Sequence, residues 1–578
     1  PIEITGDITE KQVAPWAAKI GTGGSEFGNF TPCDIREYAD LRGGLGLEAE
    51  EQPTQRFYWA EGVETTKDRY WTLGPLVSTM GALAATPLKI IDYKSTTYAF
   101  ANGVSKYLVT GTSTWTATGD ASPLATPTDV ITFKDATGNY LVVCNGADAR
   151  YCLTGYGGSQ DWASLTTNDI KYMAALDNRL WGIDSTGTTL YYSAVGNVDG
   201  TWGSFALSGD YATVTDLFEG KLLTSGDPCL YMLTAEGLFA IDVYAQKAYK
   251  QEVRYPLTTQ AKCGMYWNGA VYISTGMGIA KITGNDVTQF GPDEDDGLNT
   301  DYQGYITDMI GSSHWVIVAV AGGTKDSILK RHETMGGWHQ VYTSSTAVET
   351  LCYSPASLYA PGRLWFGDAT NVKWVQFPDY THDVTKVATY TYAATGDLIL
   401  PRFSTLSIIP KIAIKCEALS QDLTGTGDNE NVTVYYRTDN NAGWTSLGEF
   451  TTSPHPTLPF GSSLGTSFND IQFKLTFART AATTTDTPKI RAFAFKYLTL
   501  PSTVSMWQFT VKALGSNAKR TITSLETVRD GSTLVNFSPD GDLNISTKYI
   551  RLVSMPSRKW LDKYADEKEF VLSVSEVE

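Results

Sequence analysis

Histidine is scarce in this chain. Five occur among 578 residues, His314, His332, His339, His382 and His455. No two fall in an HExxH pattern or at another paired metal-ligand spacing, so the sequence carries no histidine-based metal signature. The seven cysteines (Cys33, Cys144, Cys152, Cys229, Cys263, Cys352, Cys416) are odd in number, scattered and without a CxxC pair, a poor disulfide framework. Cys144 and Cys152 flank Asp148 symmetrically, so a hairpin would set them opposite each other. Two reduced strand residues are the favoured reading over a bridge. Positive charge is also short: the net charge is −17. That argues against a surface of clustered Lys and Arg that grips phosphate, and so against sequence-specific nucleic-acid binding and an anionic membrane surface. Long apolar runs are missing; WVIVAVAGG from Trp315 is of strand length, so no membrane insertion is expected. PIEITGDITE shows no basic-then-apolar leader, and synthesis in the cytoplasm is expected. Neither a Walker-A loop nor GxGxxG occurs, and no cofactor is implied.

What is present favours strands. The chain holds 32 Tyr, 15 Trp and 53 Gly, with Thr and Val frequent, and 42% of residues are hydrophobic against 19% charged. Aromatic and β-branched residues suit pleated surfaces, while Gly, Asn and Asp suit the turns between them. The composition predicts a mainly β protein of several domains.

A loose repeat runs through the first two thirds. Its openings are IIDYKSTTYAFAN at Ile90, ITFKDATGNYLVV at Ile131, MAALDNRLWGID at Met173, VTDLFEGKLLTS at Val214, CGMYWNGAVYIS at Cys263, YITDMIGSSHWVIV at Tyr305 and LCYSPASLYAPGRLWFG at Leu351. They are spaced by about 41 to 49 residues, the length of one four-stranded propeller blade. Each is a pair of apolar runs joined by a turn such as Asp-Asn or Asn-Gly, a hairpin signal. Aromatics close the units at Trp115, Trp162, Trp202, Phe290, Trp338 and Phe377. One hairpin cannot bury its face, whereas blades stacked radially can. The pattern predicts a β-propeller of six to eight blades over residues 81–385.

The flanks read differently. Residues 1–80, rich in Gly, charge and aromatics, are expected as an irregular N-terminal arm that also supplies a strand to close the ring. Residues 386–501 alternate apolar and polar at period two in KIAIKCEAL, NVTVYYRT, DIQFKLTFAR and KIRAFAFKYL, which predicts a β-sandwich. Residues 502–578 read as a small α+β domain. There RTITSLETVRDG places Ile522, Leu525 and Val528 on one helical face, with Thr523 and Glu526 spaced as a capping box and Gly531 where the helix would end.

Catalytic motifs lack their required context. GSSLG at Gly461 matches the nucleophile-elbow pattern around Ser463, with His455 near in sequence. It sits in a Pro- and Gly-rich loop, where the pattern needs a strand before it and a helix after it. GPDEDDGLNTD clusters Asp293, Glu294, Asp295, Asp296 and Asp301, but Gly297 falls where a calcium loop needs an oxygen ligand. Asp199, Gly200 and Trp202 in VGNVDGTW are similar to the Asp-box turn of sialidase-like propellers. Such an enzyme also needs arginines converging on a carboxylate, and Arg150, Arg179, Arg254, Arg331 and Arg363 give no basis for choosing three. No catalytic, cofactor-binding or metal residue is assigned.

DLRGGLGLEAEEQPTQRFYWAEGVETTKDRYWTLGP, LYYSAVGNVDGTW, and VTVYYRTDNNAGWTSLGEF followed by DIQFKLTFARTAATTTDTPKIRAFAFKYL together give the sequence a likeness. It resembles the structural proteins of tailed-bacteriophage tails, and SLETVRDGSTLVNFSPDGD is similar to their small terminal domain. The resemblance implies a non-enzymatic virion component of the tail tip, baseplate or nozzle. Its expected partners are other phage tail proteins, further copies in a homo-oligomeric ring, and a host surface glycan where it contributes to attachment. The aromatics Phe57, Tyr58, Trp59, Tyr70 and Trp71, close together in the arm, need burial, and a neighbouring subunit is expected to supply part of it. The alternative reading is a carbohydrate-binding or sialidase-like glycan-active propeller.

Overall fold

A computed structural model of the chain describes residues 9–13, 34–46 and 55–576, apart from 68–69, 95, 103, 109–114, 118–123, 137, 154–161, 208–212, 252, 254–260, 277, 293–297, 356–361, 405–410, 428, 440, 462–464, 500–503, 531–534, 538–547, 556 and 563–566. The protein is mainly β, with one α-helix, Ala518–Asp530, among the described residues. Seven four-stranded antiparallel sheets succeed one another in the chain. Their first strands are Pro87–Tyr93, Asp129–Lys134, Tyr172–Leu176, Val214–Lys221, Gly264–Trp267, Tyr305–Gly311 and Leu351–Ser354, each beginning within about three residues of an expected repeat opening. Each first strand lies beside the first strand of the next sheet, and that of the seventh lies beside that of the first, a propeller-like cycle.

Local chemistry explains the unit. The second strands, such as Pro228–Thr234 and Trp315–Ala321, are almost continuously apolar because both of their faces are buried between neighbouring sheets. Asp177 and Asn178 both adopt positive φ (49° and 56°), as do Asn268 and Gly269 (47° and 80°). Two such residues turn a tight hairpin in the sense that matches strand twist. Aromatics close the gaps between sheets: Phe100 meets Trp162 at 6.2 Å, Phe290 meets Trp338 at 5.6 Å, and Trp315 meets Phe377 at 6.3 Å. One cluster mixes Ile90 and Ala99 of the first sheet with Trp365 and Val372 of the seventh.

The seventh sheet has only three strands of its own. The fourth comes from before the repeat: Ser78–Ala82 pairs with Asn371–Gln376, Thr79 opposite Lys373. Two five-stranded sheets follow the repeat. One contains Lys411–Gln421 and Lys489–Thr499, the other Thr395–Ile399, Ile471–Ala478 and Asn431–Thr438. They share a core that includes Phe450, Phe468, Phe473, Phe493 and Phe495. The last unit is a six-stranded sheet with the helix packed on it through Leu525. Ile522 and Val528 lie against the same cluster, as their spacing predicts. The capping-box expectation is corrected. The helix begins at Ala518, after a 3-10 turn, so Thr523 is internal and its hydroxyl donates to the Lys519 carbonyl at 3.0 Å. Gly531 lies outside the described residues.

The expectation of an irregular arm over residues 1–80 is also corrected. Its strands each occupy the edge of a sheet. Thr9–Val13 pairs with Val504–Ala513, Asp34–Tyr38 with Lys489–Thr499, and Trp59–Glu61 with Thr395–Ile399. The glycines of RGGLG permit this threading. A Cβ on Gly44, at φ 77°, would lie 2.5 Å from the Trp338 carbonyl oxygen, and the Leu45 N–H donates to that oxygen at 2.8 Å. Charge fixes the same path: Lys330 and Glu64 pair at 2.6 Å with their side chains 10% and 5% exposed.

Trp71 anchors the segment. It is 0% exposed, and its backbone exchanges hydrogen bonds with Ile490 at 2.8 and 3.1 Å. Its indole N–H has no acceptor among the described residues. Trp71→Ala is therefore expected to cost about 3–5 kcal/mol of stability in urea unfolding, as large-to-small core substitutions of aromatics do. Trp71→Phe, which keeps the ring and removes the unpaired donor, is expected to cost well under half of that. Equal effects of the two would contradict this packing.

Candidate functional site at the mouth of the central channel

An equivalent position recurs at or just before each of the seven first strands, and four of the seven are joined by a hydrogen bond that passes from one sheet to the next. Asp129 accepts from its neighbour Val130 N–H at 2.8 Å and from Met173 N–H on the next sheet at 2.8 Å. Asp216 does the same with Leu217 (2.9 Å) and Gly264 (2.8 Å), and Asp308 with Met309 (2.9 Å) and Leu351 (2.7 Å). The Thr350 hydroxyl oxygen closes the cycle by accepting from Ile90 N–H at 3.2 Å. The residues just before the seven N–H donors are therefore Lys89, Asp129, Tyr172, Asp216, Cys263, Asp308 and Thr350. A carboxylate has two oxygens, so it can hold its own strand and the next at once. The aspartates clasp the second sheet to the third, the fourth to the fifth and the sixth to the seventh.

Five of these residues, Lys89, Tyr172, Asp216, Cys263 and Asp308, line a cavity of about 460 Å³ at the start of the first strands. Lys171, Lys262 and Glu349 line it as well. The electrostatics are coupled. Burial opposes the charge of Lys89, but the carboxylates of Asp308, Asp129 and Asp216 outweigh it and hold its pKa above the ordinary lysine value. Burial pushes the Asp216 carboxyl up to about 7, with the charge of Asp129 adding to the effect. Asp129 and Asp308 are raised by burial too, against the pull of Lys89. Burial and the Asp216 charge raise Tyr172, and burial raises the Cys263 thiol, so both stay protonated at neutral pH. The arrangement offers a retained ammonium, carboxyl oxygens already tied to the backbone, and a neutral phenol. It holds no activated thiolate.

The other candidates fall elsewhere. Ser463 and Asp293, Glu294, Asp295 and Asp296 lie outside the described residues, and His455 is exposed. Asp301 is buried and accepts from the Trp59 indole at 3.3 Å, a structural contact. Asp199, Gly200 and Trp202 form a turn in which the Trp202 indole donates to the Val198 carbonyl at 3.2 Å. Four of the five arginines are described and lie on separate sheets. Arg150 pairs with Asp148 at 3.0 Å, and Arg179, Arg331 and Arg363 stack on Tyr192, Phe290 and Trp374. None of the four lines the cavity. Cys144 and Cys152 are buried and form no disulfide. The hairpin pairs Cys144 with Ala149 and Cys152 with Leu141, so it turns at 146–147 and the two thiols are not opposite each other.

Three histidines far apart in sequence do meet. The His332 ring is 5.8 Å from His314 and 4.1 Å from His382, with Trp315 4.9 Å from His332. Burial, reinforced by the other two rings, holds His332 down to about 4. No group of three metal-ligating side chains is found among the described residues.

The five arm aromatics serve intrachain contacts. Phe57 and Trp71 are 0% exposed inside the chain's own core, which leaves them no surface for a partner and corrects their assignment as subunit contacts. Tyr58, Trp59 and Tyr70 are half-buried. Tyr58 accepts from Asn299 at 3.3 Å, and the Tyr70 hydroxyl donates to Gln421 at 3.0 Å. The aspartate clasps were missed in sequence. Their signal was one Asp near the start of every second repeat, at 129, 216 and 308, among many other acidic residues.

No family model matches the chain, and no curated protein does. Solved structures give distant likenesses. A catalytically inactive virginiamycin B lyase from Staphylococcus aureus with quinupristin is 12% identical, over 52% of this chain and 99% of that one, with a TM-score of 0.39. The computationally designed Ika8 protein is 13% identical, over 53% and 100%, with a TM-score of 0.36. A chain of the mitotic checkpoint complex is 12% identical, over 62% and 100%, with a TM-score of 0.39.

Removing a clasp oxygen has a calculable cost. Asp308→Asn leaves the N–H of Leu351 or Met309 short of an acceptor at a largely buried site, and Thr350→Ala does the same to Ile90. Each is expected to lower unfolding stability by about 1–3 kcal/mol, the cost of a buried donor left unpaired. Calorimetric midpoints unchanged in both variants would show that the clasps hold nothing.

Proposed function

We propose that the chain is a non-enzymatic structural component of a bacteriophage tail, at the tip, baseplate or nozzle, acting through protein–protein contacts in a homo-oligomeric ring. In this reading the seven four-stranded sheets are seven blades of one propeller closed by Ser78–Ala82, followed by a sandwich domain and a small C-terminal α+β domain. The observation that carries the reading is the N-terminal segment, which gives an edge strand to a sheet in every unit and ties them into a single body. Such continuity suits a part that bears load between neighbours. The outer surface supports it with large exposed aromatics, Tyr244 at 73%, Tyr380 at 62% and Tyr249 at 49%, residues enriched where proteins meet. A net charge of −17 would keep passing DNA from adhering to such a ring.

The test is quantitative mass spectrometry of purified virions. The chain is expected at a fixed copy number per particle, retained through gradient purification. Abundance in the infected lysate with none in particles would overturn the proposal. A second reading, a glycan-binding propeller, is favoured by one observation, the polar cavity at the channel mouth.

A further inference from the structure

We infer that the channel-mouth cavity is a binding site for a small, neutral, polyhydroxylated ligand of monosaccharide size, held chiefly by Lys89, Asp216, Asp308 and Tyr172. The inference rests on the second reading above and gives that reading a location and a ligand class.

The cavity's size comes first. About 460 Å³ lies within the range of pockets that take small molecules, roughly 300–1,000 Å³. Its charge comes next. Three lysines (Lys89, Lys171, Lys262) and three carboxyl groups (Asp216, Asp308, Glu349) line it. Groups of both signs face the cavity, and Asp216 keeps its proton up to about pH 7, so donors and acceptors lie side by side and the favoured guest is polar and uncharged.

Hydrogen-bond capacity narrows the class. The Lys89 ammonium carries three donors, and among the described residues none of them has a hydrogen-bond acceptor or a carboxylate in ion-pair contact. Asp216 and Asp308 each accept one backbone N–H on each oxygen, and every carboxylate oxygen has a second lone-pair site. A ligand that suits this surface must accept from an ammonium and donate to carboxylates from neighbouring atoms. Adjacent hydroxyl groups on one ring do both, since each is donor and acceptor. Tyr172 adds a ring edge and a phenol that stays neutral. The backbone clasps hold both carboxylates in place before any ligand arrives, which lowers the ordering cost of binding.

Isothermal titration of the full chain with single monosaccharides tests this, using neutral hexoses and pentoses, glucuronate as the acidic probe and glucosamine as the basic one. Binding of at least one neutral sugar is expected, weakened tenfold or more by Lys89→Met and by Tyr172→Phe. Neutral sugars should bind more tightly than glucuronate or glucosamine. Should Lys89→Met fail to fold, Tyr172→Phe, which removes one hydroxyl, decides alone. A tighter hold on the charged probes, or no binding of any neutral sugar, would overturn the ligand class. Sugar binding undiminished in both variants would overturn the site while leaving glycan binding elsewhere on the chain intact.

Discussion

An unpaired sheet edge is the constraint on which this structure turns. A strand at an edge exposes a row of N–H and C=O groups that either pair with another strand or invite one from outside. Each of the sheets that meets the N-terminal segment would end one strand short without it. The seventh propeller sheet takes Ser78–Ala82, the two sandwich sheets take Asp34–Tyr38 and Trp59–Glu61, and the C-terminal sheet takes Thr9–Val13. The first described stretches of the chain complete sheets formed hundreds of residues later, so loss of the segment would strip an edge strand from each of them. The buried Glu64–Lys330 pair belongs to the same logic. Burial acts against the Glu64 carboxylate, but Lys330 beside it holds its pKa below the ordinary value, and separating the two would strand a charge in the core.

A second constraint acts at the centre of the ring. The first strands lie beside one another without a continuous backbone ladder, so something else must set the spacing between sheets. Aspartates at alternate sheets do this at three junctions, each oxygen taking one N–H, and Thr350 joins the seventh sheet to the first. Carboxylates drawn together around the ring of first strands would repel. Lys89 answers them at the same level, and Asp216 responds by holding its proton up to about pH 7. The polar mouth is thus a by-product of the way the ring is fastened, and its residual hydrogen-bonding capacity is what makes it a candidate site.

Much of the fold was legible because it is local. Hairpins announce themselves through pairs such as Asp177-Asn178 and Asn268-Gly269, and a spacing near 45 residues fixes the repeat once the hairpins are aligned. A ring-closing strand was expected from the N-terminal segment, but its place at Ser78–Ala82 and the other edge strands were not legible. Trp59–Glu61 and Ser78–Ala82 are short, and their partners lie some three hundred residues away, so no periodicity within either segment reports the pairing. The Gly-rich RGGLG looked irregular for the same reason: its glycines answer to the backbone of Gly337 and Trp338. Aromatic density in the arm was a sound sign of burial, but sequence does not say whose core supplies it. Phe57 and Trp71 found it within their own chain. The channel site was invisible because its members are one residue per repeat, of differing types, related only by a shared backbone hydrogen bond.

The central claim is that the N-terminal segment is a set of integral edge strands. Native-state hydrogen exchange read by mass spectrometry tests it most directly. The paired amides of Asp34–Tyr38, Trp59–Glu61 and Ser78–Ala82 should exchange as slowly as those of their partners, Lys489–Thr499, Thr395–Ile399 and Asn371–Gln376, since a foldon opens as a unit. Exchange of the N-terminal amides at the rate of an unstructured peptide, with the partner strands still protected, would contradict the account.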